Sequence, residues 1–353
     1  MLRRIALITL AAGGAVLPLP PPLVERVYST WLYAAAQPWI TRASNAAPVA
    51  LFDLLVAAVL AAWIVTVCRD LARRSTWLRA LGAVAARTLV WSSALYLCFL
   101  LGWGLNYRRV PLAERLQFDA ARVSADAARD LALVAADQLN TLYSPAHAAG
   151  QAGGHEEASL AGAFARAQRD LGAARLAAPA RPKPTMLNPY LRRAGVAGMT
   201  DPFFLETLIA GDLLPFERPF VVAHEWSHLA GIADEGEANF AGWLICLRGA
   251  PSERYSGWLF LFGELSRAAR DTDRTIVLAR LAAGPLDDLR AIARRIQQQV
   301  SPRLSAAGWR VYDQYLKANR VEHGAASYAE VVKLVLGVHF EAAWVPQQRT
   351  PPR

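Results

Sequence analysis

Three stretches near the N-terminus carry almost nothing but apolar positions, about 5–23, 49–68 and 88–105, and each approaches the ~20 residues that a helix needs to cross a bilayer. The first ends in "LPLPPPL", whose prolines make its last turn irregular. Its "MLRR" start resembles a secretory leader, but no small-residue cleavage site follows the apolar run, so an uncleaved anchor is expected. From Arg108 the pattern changes. "FDAARVSADAARDLALVAADQLNTLY" places apolar residues at helical spacing with charges between them and predicts a long helix. "PAHAAGQAGGHEEA" reads as a loop, "LAAPARPKPTMLNPY" as a proline-rich connector, and the short runs between Gly195 and Pro215 as a small sheet. Helices are predicted over 219–231, 235–248, 256–283, 286–299 and 305–318, and "PQQRTPPR" reads as a disordered tail. The fold class expected is mainly α: three N-terminal transmembrane helices within 1–107, then a predominantly helical domain with a small β-sheet over 108–345, and a tail at 346–353.

Composition sharpens this picture. The net charge is +9, with 38 basic residues of which only Lys183, Lys317 and Lys333 are lysines. The arginines are scattered through Ala-rich helices and membrane flanks, with no basic patch interleaved with stacking aromatics, so no nucleic-acid partner is expected. Between the second and third apolar stretches stand Arg69, Arg73, Arg74, Arg79 and Arg87, whereas the segment before the second holds only Arg26 and Arg42. By the positive-inside rule the Arg-rich side and the N-terminus face the cytoplasm, which puts the 108–345 domain outside it. Trp31, Tyr33, Trp103 and Tyr107 suit an interfacial belt on that side. Asp53 reads as a hydrated residue at the edge of its span, and His147 and His155 as exposed. The three cysteines lie too far apart for a disulfide framework or a cysteine-based zinc site.

The chemistry concentrates in "VVAHEWSHLAGIADEGEANF". His224 and His228 are four residues apart and share one helical face, where two imidazoles can hold one ion. Glu225 is rotated by about 100° and stands where a general base for a zinc-bound water belongs. One Zn2+ per chain needs a third protein ligand and an open fourth position. Glu235, Asp234 and Glu237 are the candidates. Asp234 completes a metzincin-like HExxHxxGxxD spacing. Glu235 is favoured, since Asn239 follows it by one helical turn and can support a ligand histidine from the second shell. For the oxyanion donor the candidates are Tyr328 and His323, with Tyr190 behind them.

"GWGLNYRR", the HExxH stretch and "VYDQYLKANRVEHGAASYAEVVKLV" together resemble the bacterial membrane family known as domain of unknown function 3810, over nearly the whole chain. "EGEAN" also resembles the third-ligand helix of gluzincin-type peptidases. The resemblance implies a membrane-anchored, zincin-like metallopeptidase with His224, His228 and Glu235 as ligands and Glu225 as base. It does not require an acid at Asp234. The expectation is a multi-pass protein of the bacterial inner membrane that contacts the lipid bilayer, cuts a peptide or protein substrate, and has its domain in the periplasm. The alternative is a non-catalytic membrane protein whose metal site is structural and whose outer domain binds a partner.

Overall fold

The structure is a computed structural model that describes residues 2–73, 76–150, 156–319 and 330–349. It is mainly helical. Two helices, Leu51–Arg73 and Trp77–Gly102, are long and apolar enough to cross a membrane. The first apolar stretch is not one continuous helix to residue 23, and it counts as a third candidate span only as a bent pair. A helix Leu2–Val16 stops before the prolines, and a second helical run, Pro21–Ala46, leaves it at an angle of 112°. The residue before a proline is pushed out of helical geometry, whereas a proline in a first turn loses no hydrogen bond, so "LPLPPPL" ends one helix and opens the next. Arg108 secures the break by donating to the Gly14 carbonyl at 2.6 Å, one of the carbonyls that a helix end leaves open. The helices Leu51–Arg73 and Trp77–Gly102 pack together, and most of the Arg-rich stretch expected to connect them is helix instead, because Ala, Leu and Arg all favour helix. Arg87 grips Asp70 with two bonds of 2.9 and 3.1 Å, and Trp63 Nε1 donates to Thr88 Oγ1 at 3.0 Å.

The remaining residues form a helical domain with a three-stranded sheet. The predicted long helix is Ala125–Gly150, capped by Ser124, whose hydroxyl accepts from Ala127 N. It runs through Pro145 to Gly150, and the next helix starts at Glu156, so both ends of the stretch read as a loop are helix. His147 is not free on the surface: it lies against Tyr143 and Tyr255, and its Nε2 stands 3.2 Å from Asp288. His155 lies outside the described residues. Leu131, Ala135, Leu139 and Leu142 of this helix are buried at three- and four-residue spacing. The helix Pro251–Ala268 packs against it, with Tyr255 meeting Tyr143 edge to face. The predicted helix 256–283 breaks at residues 269–270, and Asp271–Ala279 follows as a separate element.

The sheet has the order β1-β3-β2. β1 (Pro182–Lys183) comes from the proline-rich connector and runs parallel to β3 (Thr207–Ile209); β2 (Gly198–Thr200) pairs antiparallel on the other side of β3. This sheet fastens the domain to the start of the helix Leu51–Arg73. Glu206, fully buried, accepts from Leu51 N and Phe52 N at 3.1 and 3.0 Å, two donors that a helix start leaves open. Lys183 neutralises it at 2.5 Å and also donates to the Ser44 carbonyl at 2.6 Å. Asp53 is bound rather than merely hydrated, since it accepts from Thr185 Oγ1 and Met186 N at 2.6 and 2.7 Å. The tail departs from expectation too. Pro346 pairs with Phe340 and Gln348 with Leu116, so backbone pairing orders the chain through Arg349.

Candidate metal centre

The HExxH residues lie on a short helix, Arg218–Leu229, with Pro219 in its first turn. It is buried along most of its length, because Phe220, Val222, Ala223, Trp226 and Leu229 face the core between the charged positions. Its C-terminal end is held by residues far away in sequence. Gly231 adopts a left-handed φ of 76°, which glycine supplies without strain. A Cβ there would stand 3.0 Å from Asn106 Oδ1. The open carbonyls find donors in the segment after the helix Trp77–Gly102: Trp103 Nε1 donates to His228 O at 2.9 Å, and Arg109 Nη1 to Gly231 O at 2.7 Å. Tyr33 adds a bond of 2.9 Å to Leu229 O. Tyr33 and Trp103 are both buried in this contact rather than set in an exposed belt.

A second helix, Glu235–Leu247, crosses the first. Asp234 is its N-cap and accepts from Glu237 N at 3.0 Å. The close approach depends on Gly242, where a Cβ would stand 3.0 Å from His224 N and 3.1 Å from His224 Cα. This contact sets Glu235 opposite the histidine pair. His224 Nε2 and His228 Nε2 are 3.2 Å apart, and Glu235 Oε2 lies 3.2 and 3.6 Å from them. Among the described residues, these three form the group of histidine, cysteine and acidic side chains spaced to hold a metal ion. Asp234 is engaged as the cap. Glu237 turns away to accept from Leu112 N at 2.5 Å.

The donor set fits zinc. Four ligands at ~2.05 Å around a tetrahedral ion stand about 3.3 Å from one another, which is the spacing of these three atoms. His228 Nδ1 lies 2.7 Å from the Ile232 carbonyl, so it carries the proton and leaves the Nε2 lone pair facing the other two atoms. Glu235 Oε2 is buried and has no hydrogen-bond donor. Three electron-rich atoms at such separations require a shared positive charge. Burial opposes charge on His228, yet the Glu235 carboxylate outweighs it and lifts the imidazole to about 9. Glu235 is equally buried, and the two histidines pull its carboxyl well below the ordinary range. A proton on this trio stands in for the charge that a cation would supply.

Glu225 lies beside the trio and outside it. Thr200 Oγ1 lies 2.8 Å from the Glu225 Oε2 and 2.9 Å from the Glu225 backbone carbonyl, sharing its one proton between them, which fixes the side chain against β2. A Cβ on Gly198 would stand 2.8 Å from Glu225 Oε1 and 3.0 Å from its Cγ, so a larger residue there would displace the Glu225 side chain. Burial pushes the Glu225 carboxyl above its usual value, against the pull of His224, His228 and the Thr200 hydroxyl. On the far side, Tyr312 of the helix Pro302–Ala318 donates to Glu235 Oε1. Tyr312 stacks on Tyr315, which meets Tyr107 and Phe99 edge to face or tilted.

The motif helix, the segment 102–109 and the helix bearing Tyr312 and Tyr315 thus meet at one place. A family model described as "Protein of unknown function (DUF3810)" matches residues 28–336, which contain all three. The chain belongs to this family. No curated protein and no solved structure matches it. Within the family's span, sequence reasoning missed Thr200, Gly198 and Tyr312. No motif marks the first two, and Tyr312 sits inside a stretch already singled out, with no spacing to point at it. Of the residues expected to serve as oxyanion donors, Tyr328 and His323 lie outside the described residues. Tyr190 is exposed on the helix Asn188–Ala194, where Gly308 faces its hydroxyl. Asn239 is buried, but His224 Nδ1 has no partner and His228 Nδ1 faces the Ile232 carbonyl, so the expected bond to a ligand histidine is not made.

Proposed function

We propose that the chain is a membrane-anchored zinc metallopeptidase that hydrolyses peptide bonds on the outer side of a bacterial inner membrane. The observation that carries this reading is the convergence of His224, His228 and Glu235, with Glu225 held beside them and outside the ligand set. A zinc ion bound there supplies Lewis acidity, polarising a carbonyl and making water more acidic. Glu225 takes the proton of the attacking water and passes it to the leaving amine. Its raised pKa suits the first of these steps, since a stronger base takes the proton more readily. Thr200 holds Glu225 in place throughout.

The sheet supports a peptide substrate. Along β2, Ala197 O and Asp201 N bond across to β3, so by antiparallel alternation the backbone groups of Gly198 and Thr200 face the other edge. No strand pairs with that edge among the described residues. An extended peptide added there would run past Glu225. Three protein ligands leave a fourth position open, which a purely structural zinc site does not do.

The test is metal content by mass spectrometry on the full chain in detergent, beside His228→Ala and Glu235→Ala. Wild type should carry close to one zinc and both variants should lose it. Glu225→Gln should retain zinc and lose turnover of a fluorogenic peptide mixture. A wild-type chain without zinc after supplementation, or a Gln variant as active as wild type, overturns the reading.

A further inference from the structure

The run Pro21–Ala46 has two faces. Val24, Tyr28, Ser29, Tyr33, Gln37, Thr41 and Ser44 are buried, and through them the run is bonded into the domain: Tyr33 to Leu229 O, Gln37 Nε2 to Ala178 O, Thr41 Oγ1 to Leu205 O. The π-helical geometry over Val24–Tyr33 widens each turn and keeps this polar seam in line at four- and five-residue steps. The opposite face carries Leu23, Val27, Trp31 and Trp39, with the two tryptophans 61% and 72% exposed. Exposed tryptophans on a face that turns away from the domain call for a partner.

The surroundings identify it. The run leaves the helix Leu2–Val16 at 112°, and four residues after its end the span Leu51–Arg73 begins. The exposed apolar face thus lies close in sequence to the apolar helix Leu51–Arg73, where Leu54, Leu60 and Ile64 are also exposed. Arg26 and Arg42 are exposed along the run, and the Arg42 guanidinium lies 5.7 Å from the Trp39 ring. Tryptophan and arginine beside leucine and valine are the composition of a helix that lies in a bilayer surface, rings at headgroup depth and cations at the phosphates.

We propose that Pro21–Ala46 lies in the plane of the bilayer surface, with Leu23, Val27, Trp31 and Trp39 in the boundary between headgroups and acyl chains. This rests on the reading that Leu51–Arg73 and Trp77–Gly102 span the membrane, and it deepens the proposed function. Tyr33 binds the carbonyl next to His228, so the metal centre is fixed on the order of one helix diameter, ~10 Å, from that helix. Substrates are then segments of polypeptide that emerge from the bilayer or lie on it.

The experiment uses spin labels in the full chain, with Cys68 and Cys98 changed to alanine, in nanodiscs of phosphatidylcholine and phosphatidylglycerol. Labels go on Trp31→Cys and Trp39→Cys, on Leu60→Cys as a span reference, and on Ile276→Cys as an aqueous reference. Relaxation by oxygen and by a water-soluble nickel chelate reports depth. The expected result is an oxygen-to-chelate ratio at 31 and 39 several-fold above that at 276 and below that at 60. If 31 and 39 match 276, the helix stands in water and the proposal falls. If they are shielded from both reagents, protein covers the face, as in a second copy of the chain, and the proposal falls equally. A water-like signal at 60 overturns the spanning reading itself and takes the interfacial helix with it.

Discussion

Gly242→Ala tests whether the crossing of two helices builds the metal centre. In an exposed helix this change stabilises by roughly 0.5–1 kcal/mol, because alanine loses less backbone freedom than glycine. Here the new methyl would stand 3.0 Å from His224 N and 3.1 Å from His224 Cα, both atoms of a buried backbone that has no rotamer to yield. Overpacking of this kind costs roughly 1–3 kcal/mol, so the steric loss outweighs the helix gain and the net effect is a destabilisation of about 1–2 kcal/mol. Relief by a few tenths of an ångström separates Glu235 from the histidines by more than the ~0.2 Å that zinc coordination tolerates. Zinc affinity, measured by competition with a chromophoric chelator, should therefore fall about 10–100-fold, the range seen when the support of a metal ligand is lost. Thermal unfolding of the detergent-solubilised chain, followed by tryptophan fluorescence, should shift downward as well. An alanine variant that melts higher than wild type and binds zinc unchanged would refute the account of how Glu235 is placed.

Tyr312→Phe removes the hydroxyl that donates to Glu235 Oε1. Zinc affinity should drop about tenfold while the fold survives; an unchanged dissociation constant would make Tyr312 a mere packing residue. Lys183→Met strands the buried Glu206 carboxylate at the start of the helix Leu51–Arg73 and should cost about 3–5 kcal/mol. Adding Glu206→Gln should recover much of the lost melting temperature, and a double variant no better than the single one would argue against charge burial as the cause. Asp201 is fully buried, and desolvation raises its carboxyl to about 7 despite bonds from Phe203 N and Phe204 N. A raised folded-state pKa gives stability that is complete below the unfolded value near 3.8 and lost as pH rises through 7. Wild type should thus lose on the order of 3 kcal/mol between pH 5 and 8 relative to Asp201→Asn. Parallel melting curves for the two proteins across that range would contradict the assignment.

Much of the site was legible because its signals are local. The four-residue spacing of His224 and His228 needs only a helix, and the apolar runs need only length and composition. The third acid was narrower than local signals could resolve, because Asp234, Glu235 and Glu237 are neighbours and only the cap geometry separates them. Asp234 is spent on Glu237 N and Glu237 on Leu112 N, a residue more than a hundred positions away. The tail and the stretch around Pro145 were misread for a related reason: proline and polar composition argue for irregular chain, but pairing with Leu116 and packing on Pro251–Ala268 override that tendency. The bend in the first apolar stretch was missed for another reason, since composition counts apolar residues and does not weigh the break that three consecutive prolines impose.

By itself the sequence determined the helical character of the chain, its apolar helices, the histidine pair and the glutamate set beside it, because these follow from periodicity within one element. Tertiary structure alone decided which acid faces the histidines, that Thr200 and Gly198 lie against Glu225, that Tyr312 supports Glu235, and that Pro21–Ala46 joins the apolar helices to the end of the motif helix. Each of these depends on two elements distant in sequence approaching to within hydrogen-bond range. That approach is fixed by the packing of whole helices at positions such as Gly242 and Gly231, where a single missing Cβ permits the contact.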